Sequence, residues 1–127
     1  MIIVVTGGRN FNDSTALYAA LDALNETSGD HIEEIWNGGM TGADALSSRW
    51  AYDRKVNTVC VGARWGDLGP KAGPTRNVEM LTKVTSRWFN NDHEIVVVAF
   101  SGGRGTAHCT AEARRRGFRV IEIAGQQ

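Results

Sequence analysis

Apolar residues fall along this chain in five short blocks: residues 2–5, 34–36 with Ile32 just ahead, 58–61, 95–100 and 119–123. The blocks are rich in Val and Ile and do not alternate with polar positions, which is how strands covered on both faces read. Between them the apolar spacing changes to that of helices. Ala16, Leu17, Ala20, Leu21 and Leu24 repeat behind Asp13-Ser14, a good N-cap. Residues 43–52 carry Leu46 and Trp50 on one face. Val78, Met80, Leu81, Val84 and Trp88 mark a third helix, and residues 106–116 a fourth, closed by Gly117. Strand and helix therefore alternate throughout, which predicts an α/β fold. We expect a Rossmann-like three-layer sandwich around a five-stranded parallel sheet of order 3-2-1-4-5. Residues 62–73 form the longest stretch without periodicity and read as a loop, of a length more often functional than idle.

Composition narrows this picture. A chain of 127 residues suits one domain, residues 1–127, and a 42% apolar fraction supports a packed core. Lys plus Arg and Asp plus Glu both number 14, so the net charge is zero and a sequence-blind grip on nucleic acid is disfavoured. Cys60 and Cys109 have no metal-ligand spacing and read as reduced, buried thiols of a cytoplasmic protein. No apolar run approaches a membrane span, and no metal or resident cofactor is expected.

The candidate chemistry lies in three glycine loops that follow strands: Thr6 to Arg9 (TGGR), Asn37 to Asp44 (NGGMTGAD) and Ser101 to Thr106 (SGGRGT). In the expected strand order all three reach one crevice, at the carboxyl edge where ligands bind open parallel sheets. Bare backbone and free N–H groups at a helix start suit an anion. Gly7, Gly8, Gly38, Gly39, Gly102, Gly103 and Gly105 would supply the backbone. Thr6, Thr41, Ser101 and Thr106 would add hydroxyls, and Arg9, Arg76 and Arg104 charge. The group asked for is a phosphate or its like. There is no GxxxxGK[ST], GRGTAH lacks the third glycine of a dinucleotide site, and no acid ends the second strand to hold a ribose.

Other residues carry two readings each. Trp65 either stacks on a base or packs onto a helix. Arg76 and Asn77 fall in the first turn of the third helix, facing the crevice. Asp44 either caps a helix dipole, binds a sugar hydroxyl or acts as a base. Glu79 is solvated or paired with Lys83. His108, in the first turn of the fourth helix, lies close to the glycine loop. Tyr52, Trp88 and Phe89 read as core or interface, and Trp36 as core or site.

The segments TGGRNFND, NGGMTGADALSSRWA, AGPTRNVEML and AFSGGRGTAH together resemble the YspA-like group of the SLOG superfamily, Rossmann-like domains related to the LOG phosphoribohydrolases and to DprA. The resemblance spans nearly the whole chain and implies a nucleotide or nucleotide-derived ligand, often a homodimer, and a bacterial or phage setting. LOG enzymes carry PGGxGTxxE with a catalytic glutamate. Here Ser101 replaces the proline, and no carboxylate follows Thr106 until Glu112. The leading expectation is a binder of such ligands. The alternative is a phosphoribohydrolase-like enzyme cleaving an N-glycosidic bond of a nucleoside monophosphate, with Asp44 or Glu79 as the acid. A third reading, a DprA-like binder of single-stranded DNA, would need a basic stripe that zero net charge argues against.

Overall fold

The computed structural model describes residues 1–27 and 29–123. In chain order the elements are β1 (Ile2–Thr6), α1 (Ser14–Thr27), β2 (Glu34–Asn37), α2 (Ala43–Arg54) and β3 (Asn57–Cys60), then α3 (Trp65–Leu68), α4 (Ala72–Arg87), β4 (Ile95–Ala99), α5 (Arg104–Arg115) and β5 (Arg119–Glu122). The five strands form one parallel sheet of order β3-β2-β1-β4-β5, as the alternating pattern predicts. β1 lies at its centre, with Val4 beside Trp36 of β2 and Val97 of β4.

Successive β1 residues feed opposite faces of the sheet. Ile3 and Val5 pack with Leu17 and Leu21 of α1 and Ala43 and Trp50 of α2. Ile2 and Val4 pack with Met80, Leu81 and Val84 of α4 and Cys109 and Ala113 of α5. That division makes the sandwich and explains why β1 reads as an unbroken apolar run. The two edge strands differ from expectation. β3 is largely exposed and β5 partly so, because the four long helices cover the middle of the sheet. Tyr52 and Phe89 are 84% and 70% exposed, so neither is a core residue, whereas Trp36 is buried in the core.

The stretch expected to be a loop is mostly helical. α3 is followed by a single 3₁₀ turn, Gly69–Lys71, which runs directly into α4 at Ala72. Pro70 and Pro74, lacking N–H groups, sit at or near helical starts where no intrahelical bond is lost. The earlier start moves Arg76 and Asn77 from the first turn of that helix into the second. Likewise α5 begins at Arg104, so His108 stands in its second turn.

The far end of α4 is fastened to the start of β2 by Glu34, which is buried. Its Oε1 accepts the indole N–H groups of Trp36 at 2.6 Å and of Trp88 at 2.8 Å, and its Oε2 accepts from Arg87 at 3.3 Å. Glu34→Leu leaves two indole donors without an acceptor and should cost about 2–5 kcal/mol in urea unfolding. Glu34→Gln keeps a carbonyl acceptor and loses only a half-exposed ion pair, so it should cost about 1 kcal/mol or less.

Candidate functional site

A cleft of about 530 Å³ opens at the carboxyl edge of the sheet. Its floor is Thr6, Gly7, Gly8 and Arg9 from the end of β1. Gly103, Arg104, Gly105, Thr106 and His108 from the start of α5 form one wall. Trp65, Pro70, Gly73, Pro74, Arg76 and Asn77 form the opposite side, and Met40 and Asp44 close it from the β2–α2 connection.

The β1 and β4 loops touch. Phe100 N–H donates to Thr6 O at 2.9 Å and Gly8 N–H to Ser101 O at 2.8 Å. A Cβ on Gly8 would lie 2.9 Å from that carbonyl oxygen, and one on Gly102 would strike the Thr106 hydroxyl. Their bareness is therefore used up by the protein itself. The β2 loop is drawn in by Thr41, whose hydroxyl donates to Arg9 O at 3.1 Å, and by Ala43 N–H to Gly8 O at 3.2 Å. Gly42, at φ 79°, has no room for a Cβ against Gly8 O.

Gly103 and Gly105 are different. Neither has positive φ, and a Cβ on either would meet nothing within 4 Å. No protein neighbour demands glycine at these two cleft positions, although α5 loses helix propensity by having Gly105 in its first turn.

Three guanidiniums face this space against one carboxylate. Arg9 lies 5.2 Å from the ring centroid of Trp65, close enough for a cation–π contact. Trp65 is 41% exposed, and a Cβ on Gly73 would come within 3.3 Å of its ring. Arg76 donates from one terminal nitrogen to Gly38 O at 2.9 Å and from Nε to Asn77 Oδ1 at 3.0 Å. Asn77, buried, donates from Nδ2 to Gly105 O at 3.2 Å and lies 3.1 Å from His108 Nδ1. Asp44 Oδ2 accepts N–H groups from Gly38 at 3.1 Å and Met40 at 3.2 Å. Burial pushes the Asp44 carboxyl above its usual range, against the opposing pull of the Met40 N–H, the Arg76 charge and the Gly38 N–H.

Residues 1–67 match the model of the YspA, cpYpsA-related SLOG family. Over 129 aligned positions the chain is 33% identical to the Gene 61 protein of Mycobacterium phage D29, covering 95% of this chain and 94% of that protein. The chain belongs to the YspA, cpYpsA-related SLOG family.

In this SLOG chain the expected residues divide into two groups. Gly7, Gly8, Arg9, Asp44, Trp65, Arg76, Asn77, Gly103, Arg104, Gly105, Thr106 and His108 line the cleft together. Gly38, Gly39, Thr41, Ser101 and Gly102 do not. Gly38 lies under the Arg76 guanidinium, where a Cβ would collide with it, and Thr41 and Gly102 serve loop-to-loop contacts. Ser101 and Gly102 instead border a shallower depression beside Asn10 and Phe11. Glu79 also lies outside the cleft, 3.6 Å from Lys83. Met40, Pro70, Gly73 and Pro74 line the cleft without having been expected there. Each sits inside a segment flagged for its glycines or its irregularity, but an apolar side chain gives no chemical signal of its own.

Cys109 occupies the position of the LOG-type glutamate. It is fully buried, and its thiol is pushed up to about 11 by burial. The next carboxylate, Glu112, is held by Arg115 at 2.6 Å and Arg116 at 3.3 Å, outside the cleft. Among the described residues no group of His, Cys, Asp and Glu could hold a metal, and no helix is long and apolar enough to cross a membrane.

The Asp44 shift gives a pH signature. With its folded-state pKa raised, the native chain binds more protons than the unfolded chain between the unfolded value, about 3.9, and the folded one. Stability contributed at this site therefore falls as pH rises through that window and is level above it. In urea titrations from pH 3.5 to 7, wild type should lose stability relative to Asp44→Asn as pH rises, since the amide cannot ionise.

Proposed function

We propose that this SLOG chain binds a nucleotide or nucleotide-derived small ligand, with its phosphate on the amides that open α5. The observation that carries the reading is the pair Gly103 and Gly105. Their bare backbone faces open cleft, and no protein atom within 4 Å of where a Cβ would stand calls for it. The N–H groups of Arg104, Gly105 and Thr106 begin a 12-residue helix with no side-chain cap, so they lack intrahelical acceptors and stand at the positive end of the helix dipole. Arg9, Arg76 and Arg104 surround the same space and favour an anion. The apolar side built from Met40, Trp65, Pro70 and Pro74 suits the flat remainder of a nucleotide, where a ring can lie on hydrophobic surface.

A binding role without turnover is supported by how the carboxylates are employed. Asp44 holds two loop N–H groups, Glu79 pairs with Lys83 outside the cleft, and a buried thiol stands where LOG enzymes have glutamate.

Gly105→Ala separates ligand need from structural need. In the first turn of α5 alanine should leave stability unchanged or raise it by about 0.5–1 kcal/mol. The same change should weaken binding of AMP at least tenfold by calorimetry, because the methyl group stands where the phosphate approaches. Unchanged AMP affinity in Gly105→Ala would overturn the reading. At 100 times the dissociation constant AMP should stabilise wild type by about 2.7 kcal/mol, while adenosine should add much less. Free adenine released from AMP by wild type and not by Asp44→Asn would instead support the hydrolase.

A further inference from the structure

We propose that His108 meets the anionic group of the ligand as a neutral Nε2–H donor, and that Asn77 is the positioning residue that fixes this tautomer. The inference rests on the nucleotide reading above and specifies one atom of its site.

The orientation of the Asn77 amide is determined twice over. Arg76 Nε can only donate, and it is directed at Oδ1 at 3.0 Å. The carbonyl of Gly105 can only accept, and it faces Nδ2 at 3.2 Å. Both contacts demand the same placement of oxygen and nitrogen, so the group 3.1 Å from His108 Nδ1 is an N–H donor. Nδ1 must then be the bare acceptor nitrogen, and the single proton of the neutral ring sits on Nε2. Nε2 has no protein partner among the described residues, and the ring lines the cleft.

The helix then places that donor. His108 is four residues past Arg104 at the start of α5, and side chains on a helix lean toward its N-terminus. The imidazole therefore covers the first turn, beside the uncapped N–H groups of Arg104 and Gly105. Backbone amides and Nε2–H converge on one acceptor. Asn77 ties the arrangement together, since the Gly105 carbonyl it holds belongs to the same turn.

The test reads the tautomer without ligand and the donor with it. In ¹⁵N-labelled wild type near pH 7.5, long-range ¹H–¹⁵N spectra should give His108 a pyridine-like Nδ1 and a pyrrole-like Nε2, with His108→Gln identifying the signals among three histidines. Asn77→Asp presents a carboxylate oxygen in place of the amide N–H. It should draw the proton to Nδ1 and weaken AMP at least tenfold. His108→Gln, whose amide N–H can stand in for Nε2–H, should keep the AMP dissociation constant within about threefold, while His108→Leu should raise it about ten- to hundredfold. A protonated Nδ1 in wild type, or equal AMP affinity in wild type and His108→Leu, overturns the inference. Failure of wild type to bind AMP or inorganic phosphate overturns the nucleotide reading and the anion contact with it, and the ring spectrum still judges the Asn77 lock independently.

Discussion

The site depends on one hydrogen bond between loops, from Gly8 N–H to the carbonyl of Ser101. β1 and β4 are neighbours at the centre of the sheet, yet the chain leaving β1 enters α1 on one face and the chain leaving β4 enters α5 on the other. Two loops that part in this way leave a crevice between them, which is the general origin of ligand sites in open parallel sheets. The Gly8–Ser101 bond fixes how close the two loops come before they diverge. Side chains at Gly8 or Gly102 would force them apart, and the N-terminus of α5 would lose its place over Thr6 and Gly7.

α4 supplies the second constraint. At its C-terminal end Arg87 and the adjoining Trp88 grip Glu34, the first residue of β2. Near its N-terminal end Arg76 grips the carbonyl of Gly38, just past the last residue of β2. The helix is thus strapped to both ends of one strand. Its second turn also reaches α5 through Asn77, so the spacing of the two cleft walls follows from the seating of a single helix. Electrostatics agrees with this design. The cationic side chains that border the opening have one carboxylate among them, and Asp44 is already occupied by backbone N–H groups.

Much of this was legible in the residues. The five apolar blocks identified all five strands, because a central parallel strand such as β1 must be apolar at every position, and right-handed crossovers together with the family resemblance led to their order. The convergence of TGGR and SGGRGT followed from the order alone. Other features were opaque for physical reasons. β3 (NTVC) and β5 (RVIE) each carry two β-branched residues, more than the one in the fully buried β2 (EIWN), so β-branched content does not separate the exposed edges from the interior. GARWGDLGPKAG has too few apolar residues to show a helical period, although its backbone is helical from Trp65 onward. NGGMTGAD suggested that Gly38 and Gly39 face a ligand, whereas Gly38 is bare to admit the Arg76 guanidinium from a helix 38 residues away. Contacts of that range cannot be read from spacing. The Asn77–His108 pairing belongs to the same class, since neither residue is unusual within its own helix.

The thiol beneath the cleft is chemically quiet. The thiolate is the form that attacks peroxides and disulfides, and Cys109, with its ionisation displaced to about 11 by burial, keeps its proton throughout the physiological range. Where LOG enzymes place a carboxylate, this protein has a buried, protonated sulfur closed off from solvent. Cys60, expected to be buried, is instead exposed because it ends the edge strand β3, so the thiol that solvent reaches stands away from the glycine-lined opening.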